Sequence, residues 1–302
     1  MTRILTLLLI LFQLTAANAT HIVGGDINYE YLTGNSYKIT LNIYIDCVNG
    51  TQGAINSDRE AIISYFNAET NTLIEYDELA LLSEEDVAEV HYKCLKVEPN
   101  ACVKQFSFSY TKELDPGDDG IIITFQRCCR NHTISNLVNP MDVGATFWTK
   151  IPPKQTVVNN SSAVFQKLPP NFLCTDAPLV FDHHAVDKDG DSLVYSLILP
   201  YEGATPDQPR PIPASNPPYN SVTMKAGYGV TNMMNGTVRL QINPTSGELR
   251  ITPSEVGQFV MAIKVDEYRN GVKINESFRD YQLNVIDCSF DVIANFSCPE
   301  RS

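Results

Sequence analysis

Residues 37–46 read YKITLNIYID, and apolar and polar side chains alternate along the stretch. A period of two places one set of side chains on a buried face and the other on a wetter face, as in an antiparallel β-strand. Similar short runs occupy residues 61–66, 104–110, 121–126, 193–199, 238–242, 259–265 and 281–286. Many short strands of this kind are typical of sandwiches, so the sequence predicts an all-β protein.

Turn residues separate these runs. Residues 269–271 read RNG between two predicted strands, and Asn-Gly at that place is a strong hairpin signal. Residues 78–90 are the stretch whose pattern favours a short helix. Residues 205–219 (TPDQPRPIPASNPPY) are rich in proline, which does not pair in a central strand, and they predict a long exposed loop.

The N-terminus has the three parts of a secretory signal. Arg3 is followed by the apolar run ILTLLLILFQL at residues 4–14 and by the small-residue cleavage motif ANA at residues 17–19. The sequence therefore predicts a signal peptide over residues 1–19, a mature chain beginning at Thr20, and a secreted or outer-surface location. The apolar run is shorter than the roughly 20 residues of a membrane span, and no membrane insertion is expected.

The composition narrows the classes of partner. The formal net charge is −13, and a surface of this sign argues against binding to nucleic acid or to an anionic membrane. An extracellular protein or a glycan is the expected partner.

Eight cysteines predict disulfides in an exported chain. Cys94 and Cys102 flank a short segment that contains Pro99 and Asn100, so a bridge between these two cysteines is expected. Cys128 and Cys129 are adjacent and would point to opposite faces of a strand, which predicts two different partners for them.

Proline pairs at residues 152–153 and 169–170 mark a boundary between two domains. We expect two β-sandwich domains with an Ig-like or cadherin-like architecture. The first covers residues 20–152 and the second covers residues 155–290, and a tail follows over residues 291–302.

Local similarities to enzymes lack the partners that their chemistry needs. Residues 22–25 (IVGG) match the mature N-terminus of trypsin-like proteases, but the serine motif of that triad is missing from the sequence. Residues 190–193 (GDSL) spell an esterase motif, yet no histidine follows His184 in the sequence. A chain beginning at His21 would suit a copper oxygenase, but the cleavage motif favours Thr20. We expect no enzyme active site.

The strongest candidate site is the acidic turn at residues 187–191, DKDGD. Asp187, Asp189 and Asp191 are spaced so that three carboxylates can converge on one hard cation, and calcium prefers such oxygen ligands. Close acids repel one another unless something neutralises them, which favours a calcium site over a solvated turn.

The ordered motifs resemble a known group of surface proteins. Residues 187–199, 243–252 and 257–259 resemble cadherin-like and Ig-like repeats of bacterial surface proteins. The whole mature chain resembles the N-terminal region of secreted PKD-domain or gliding-motility-associated proteins of gliding bacteria (Bacteroidota), through residues 21–26, 44–47, 126–131, 171–174, 187–191 and 266–271. The resemblance implies export and an adhesion-like role. It also implies that Asp266, on a second turn at the same end of the domain, is the fourth calcium ligand.

We therefore interpret the chain as a secreted cell-surface structural or adhesion module, stabilised by calcium, that binds a partner surface or a glycan. The alternative is an extracellular hydrolase, an accessory carbohydrate-binding module of one, or a copper oxygenase. A deep pocket around paired acids would favour the enzyme.

Overall fold

The computed structural model describes residues 22–48, 50, 52–87, 102–170 and 172–288. The predicted signal peptide, the predicted tail and Cys94 lie outside these residues. Strands are the main regular structure of the described chain and form several mainly antiparallel sheets, and helix is confined to short segments, so the prediction of an all-β sandwich fold is confirmed.

The strands follow one another with short connections. Strands β1–β9 are Ile22–Thr33, Ser36–Asp46, Glu60–Asn67, Leu73–Ala80, Ser83–Asp86, Val103–Glu113, Ile121–Arg127, Ala145–Ile151 and Val164–Phe165. Strands β10–β17 are Phe172–Cys174, Leu179–Asp182, Ala185–Val186, Ser192–Ile198, Gly236–Ile242, Glu248–Pro253, Gly257–Arg269 and Val272–Ile286. Helix α1 is Gln52–Ser57. The helix expected over residues 78–90 is wrong for its described part, because residues there belong to β4 and β5.

One large sheet runs through both halves of the chain, in the order β13-β16-β17-β1-β2-β6-β5, with β10 added beside β17. The alternation that opened the sequence is realised in β2, where Ile39, Leu41, Ile43 and Ile45 are buried on one face. The β16–β17 hairpin turns at Asn270 and Gly271, both with positive φ, as an Asn-Gly hairpin turn requires.

Two hydrophobic cores lie on opposite faces of this sheet. The four-stranded sheet β4-β3-β7-β8 shares a core with Ile43 and Ile45 of β2. Tyr44, which lies between them and faces the other way, belongs to the core shared with the small sheet β11-β15-β14. Each core therefore lies between the large sheet and a smaller sheet, and the two sandwiches share the large sheet.

The junction between the halves is the pairing of β1 with β17, with Gly24 opposite Tyr281 and Asp26 opposite Arg279. A Cβ on Gly24 would lie 2.2 Å from the backbone oxygen of Asp280, so only glycine allows this approach. This explains the glycines in the protease-like IVGG motif. Because the sheet is continuous here, the division into two domains at residues 152–155 stays a prediction.

The proline-rich loop is exposed over most of its length, as the sequence predicts, but it is anchored to the first sandwich. The N–H of buried Ala214 donates to Ser64 Oγ (2.9 Å), and the hydroxyl groups of Tyr219 and Thr124 are hydrogen-bonded at 2.7 Å. The loop therefore covers the outer face of β3 and β7, and it belongs structurally to the first sandwich although it comes from the second half of the chain.

The disulfides correct two predictions. Cys102 bonds to Cys47 and not to Cys94, because the β2–β6 pairing sets Asp46 opposite Val103 and so brings the next residues together. Cys128 and Cys129 bond to each other. They follow the end of β7, so the strand alternation used to separate them does not apply.

A third bridge joins Cys174, the last residue of β10, to Cys288, just after β17. Among the described residues, no helix is long and apolar enough to cross a membrane.

Candidate metal site at the Asp187 turn

The three predicted turn ligands lie on the connection between β12 and β13. Oδ1 of Asp187 accepts hydrogen bonds from the backbone N–H groups of Asp189 (2.9 Å) and Asp191 (3.0 Å). Gly190 has φ +81°, a conformation that side-chain-bearing residues rarely adopt. The first carboxylate and the glycine together close the turn.

This closure gathers the three acids into a cluster. One carboxylate oxygen from each of Asp187, Asp189 and Asp191 lies within 4.8 Å of the others. Oδ2 of Asp187 is buried, and it has no hydrogen-bond partner among the described residues. Burial raises the pKa of Asp187, and the charges of Asp191 and Asp189 raise it further. The cluster thus favours a neutralising cation or proton.

An arginine already faces the cluster. Nε and Nη2 of Arg269 each lie 2.7 Å from an oxygen of Asp191, in a bidentate ion pair. Nη2 also donates to Oδ1 of Asn160 (3.0 Å) and lies 3.8 Å from Asp189. Arg269 therefore supplies one positive charge at the edge of the cluster, next to Asp191.

A fourth carboxylate, that of Glu267, is fully buried beside the cluster. It accepts hydrogen bonds from the Ala163 N–H (2.8 Å), the Ser277 hydroxyl (3.0 Å) and Nδ2 of Asn160 (3.3 Å). Burial raises the pKa of Glu267 to about 7, and the charge of Asp187 adds to the rise.

A layer of amide and hydroxyl groups connects this site to the first half of the chain. Nδ2 of Asn160 and Nδ2 of Asn275 each donate to the hydroxyl of Tyr29 on β1, at 3.1 Å. The backbone N–H of Ser161 donates to Oδ2 of Asp189 (2.5 Å). Residues from β1, from the segment after β8 and from β16 and β17 therefore all support the acidic turn.

Asp266, the fourth ligand that the resemblance implies, is not brought into the cluster. Neighbouring residues of a strand face opposite sides, so Asp266 points away from the side occupied by Glu267. Its Oδ1 lies 2.6 Å from Nζ of Lys273 and 3.1 Å from Nζ of Lys264. The acid on the cluster side of β16 is Glu267.

The strand period contained the signal for the two residues that sequence reasoning missed. Phe259, Ile263 and Val265 are buried on one face of β16, and the same period of two continues to Glu267 and Arg269. Reading the period to the end of the strand would have placed both residues on the cluster side.

The adjacent residues His183 and His184 have different environments. His183 is 1% exposed, and neither of its ring nitrogens has a hydrogen-bond partner among the described residues. Burial lowers the pKa of His183 well below its ordinary value, and the charge of Arg279 lowers it further, while Asp182 opposes the shift. Nδ1 of His184 lies 2.9 Å from Asp182 at the surface. The copper hypothesis rests on His21, which lies outside the described residues.

A cleft of about 500 Å³ lies elsewhere, between the proline-rich loop and the connection that precedes β8. Gln126, Ser215 and Asn220 contribute polar side chains, and Asp142 and Glu202 are its acids. The clustered aspartates of the Asp187 turn do not line this cleft.

Comparisons with known proteins give no relative: no protein-family model, no curated protein and no solved structure matches this chain significantly.

Proposed function

We propose that this protein is a secreted cell-surface structural or adhesion module that binds an extracellular protein or a glycan, and that calcium stabilises it at the Asp187 turn. The observation that carries the calcium part is the convergence of three carboxylates within 4.8 Å, one of them with a buried oxygen that has no hydrogen-bond partner in the described part of the chain. Calcium takes 6–8 oxygen ligands and favours carboxylates, which suits this donor set.

The scaffold supports the structural part of the proposal. Two sandwiches share one sheet, and disulfides close segments at Cys47–Cys102 and Cys174–Cys288. Such a body presents rigid strands and loops to a partner, and disulfides suit an oxidising, extracellular environment. The resemblance to surface proteins of gliding bacteria points to the same role.

Arg269 affects how strongly calcium would bind. Asp187 and Asp189 each keep an oxygen directed at the cluster, whereas both oxygens of Asp191 are engaged by Arg269. A calcium ion and the guanidinium therefore compete for Asp191. Removing the arginine charge should strengthen calcium binding, and removing a carboxylate should weaken it.

The test is a thermal melt of the whole mature chain, residues 20–302, in calcium and in chelator. Binding to the folded state raises stability by about 2.7 kcal/mol at a hundredfold excess over Kd. We expect calcium to raise the melting temperature of the wild-type chain. The calcium-induced increase should be larger in R269Q, and it should be absent in D189N. D118N removes an exposed acid outside the cluster and is the matched control. Equal melting temperatures in both buffers for wild type and R269Q would exclude calcium.

Adhesion is tested separately, with the labelled mature chain. It should bind saturably to intact cells of its source, and a glycan array shows whether a carbohydrate accounts for that binding. Absence of saturable binding to cells and to glycans would overturn the adhesion role while leaving the calcium result standing.

A further inference from the structure

Strand β4 is an open edge of the four-stranded sheet. Among the described residues it pairs only with β3, with Tyr76 opposite Ser64 and Glu78 opposite Ile62. Just beyond β4, the N–H of Leu81 donates to the carbonyl of Arg59 (2.8 Å).

Hydrogen-bonded pairs alternate in an antiparallel ladder. Counting back from Leu81, the backbone groups of Leu79, Asp77 and Glu75 face β3. Those of Tyr76 and Glu78 therefore face outward, where they offer donors and acceptors along the edge. The regular alternation ends beyond Glu75, because the register with β3 shifts at Ile74.

This edge exposes large apolar side chains. Ile74 is 50% exposed and Tyr76 is 44% exposed. Tyr76 lies on the outer face, because its cross-strand partner Ser64 accepts the N–H of Ala214 from the loop that covers that face. Natural edge strands are usually guarded by charged side chains, especially lysine, by proline, by bulges or by a covering segment. Strand β4 contains neither lysine nor proline.

The charge of β4 selects the partner. Its charged residues are all acidic: Glu75, Asp77 and Glu78. Lys112 pairs with Glu75 (3.2 Å) and with Asp77 (2.8 Å), whereas Glu78 is exposed. A second copy of this chain would set acidic β4 against acidic β4, and like charges opposite each other destabilise a strand pair. A strand rich in lysine or arginine would instead place positive charges opposite these acids, and such pairs stabilise a strand pair.

We propose that β4 is a docking edge that accepts an extended, basic strand of an extracellular partner protein by adding it to the β4-β3-β7-β8 sheet. In this mode, backbone hydrogen bonds give affinity, and alternate side chains give specificity. The inference rests on the proposed function, because it names the surface and the class of partner through which the module adheres.

The probe is a short labelled peptide that alternates valine with lysine and threonine, and its binding to the whole mature chain is measured by fluorescence anisotropy. A peptide of the same sequence with N-methylated alternate amides keeps the charge but loses the edge hydrogen bonds. Y76P removes an outward N–H without breaking a bond to β3. Y76T keeps that N–H and removes the ring. Thermal melts of both variants serve as the control for folding.

We expect the unmodified peptide to bind, and both N-methylation and Y76P to weaken binding by about tenfold or more, the effect of losing one or more hydrogen bonds. Y76T should weaken it less than Y76P. If the methylated peptide binds as tightly as the unmodified one, the contact is electrostatic attraction and not strand addition. If Y76P binds the unmodified peptide as tightly as wild type does, or if wild type does not bind it at all, the docking edge is overturned. Cell binding that persists in Y76P would place adhesion elsewhere on the protein, and this failure is distinct from failure of the adhesion role itself.

Discussion

The ion pair between Asp26 and Arg279 gives a direct test of how the two halves are joined. The residues are register partners across the β1–β17 junction, and both side chains are almost fully buried. Arg279 Nε donates to Asp26 (2.9 Å), and the same carboxylate accepts from Tyr44 (2.7 Å) and Asn42 (3.0 Å). Nη1 of Arg279 donates to the backbone carbonyl of Lys167 (2.6 Å). The perturbation is D26A.

The expected cost follows from burial. At 2.9 Å, two unit charges attract by about 6 kcal/mol at an effective dielectric constant of 20. Desolvation of the two ions offsets much of that attraction, so the intact pair contributes little net stability. Removal of Asp26 leaves the guanidinium buried without its counter-charge, which costs about 3–5 kcal/mol.

The two single variants should differ. An unpaired carboxyl can take up a proton, whereas a guanidinium cannot lose one. In R279M, Asp26 also keeps Tyr44 and Asn42 as donors. We therefore expect R279M to cost less than D26A, and the double variant D26L/R279M to be more stable than D26A alone.

The assay is urea unfolding with the disulfides intact, followed by far-UV circular dichroism and by the fluorescence of Trp148. This residue is the single tryptophan, and its ring lies 4.5 Å from that of Phe278 on β17, so it reports on the junction. A continuous sheet predicts that the two signals change together. A loss below about 1 kcal/mol in D26A, or a larger loss in R279M, would refute the reasoning about desolvation.

Because His183 is held neutral in the fold, stability should fall as the pH drops below about 6.5, the ordinary pKa of histidine, and H183F should flatten this dependence between pH 7 and 5; an unchanged slope would contradict the assignment. Non-reducing peptide mapping should join Cys47 to Cys102, a sequence separation of 55, and the C47S/C102S variant should lose about 4 kcal/mol by the chain-entropy relation, measured by urea unfolding. Y219F removes the hydroxyl that bonds to Thr124 and should cost about 1 kcal/mol in the same assay, whereas no loss would mean that the loop does not depend on this contact.

Local pattern was enough to predict most strands but not their partners. The alternation in β2 and the Asn-Gly turn after β16 are local signals, and both strands formed where the sequence placed them. Strand β1 gave no such signal, because Gly24 and Gly25 interrupt its pattern for the sake of close approach to β17 and to Phe147. The Cys47–Cys102 bridge depends on the β2–β6 register, which no local spacing reveals.

The candidate site shows the same division between local and long-range information. Asp187, Asp189 and Asp191 come together through a turn that can be recognised from five residues of sequence. The groups that set its electrostatics are distant in the chain: Asn160, Glu267 and Arg269. Sequence reasoning chose Asp266 because it considered the turn, whereas the alternation along β16 decides which side chain faces the acids.

The shared sheet determines how any effect of a cation at the Asp187 turn must be measured. The site is supported by Tyr29 of β1 as well as by β16 and β17. A fragment of residues 155–290 would lack β1, and β17 would then present an unpaired edge where Gly24 and Asp26 normally bind. Loss of calcium response in that fragment would thus report the loss of β1 and not the chemistry of the acids. In the whole chain, a cation that stabilises the turn acts on the same strands that carry the β1–β17 junction, so its effect should appear in the unfolding of both halves together.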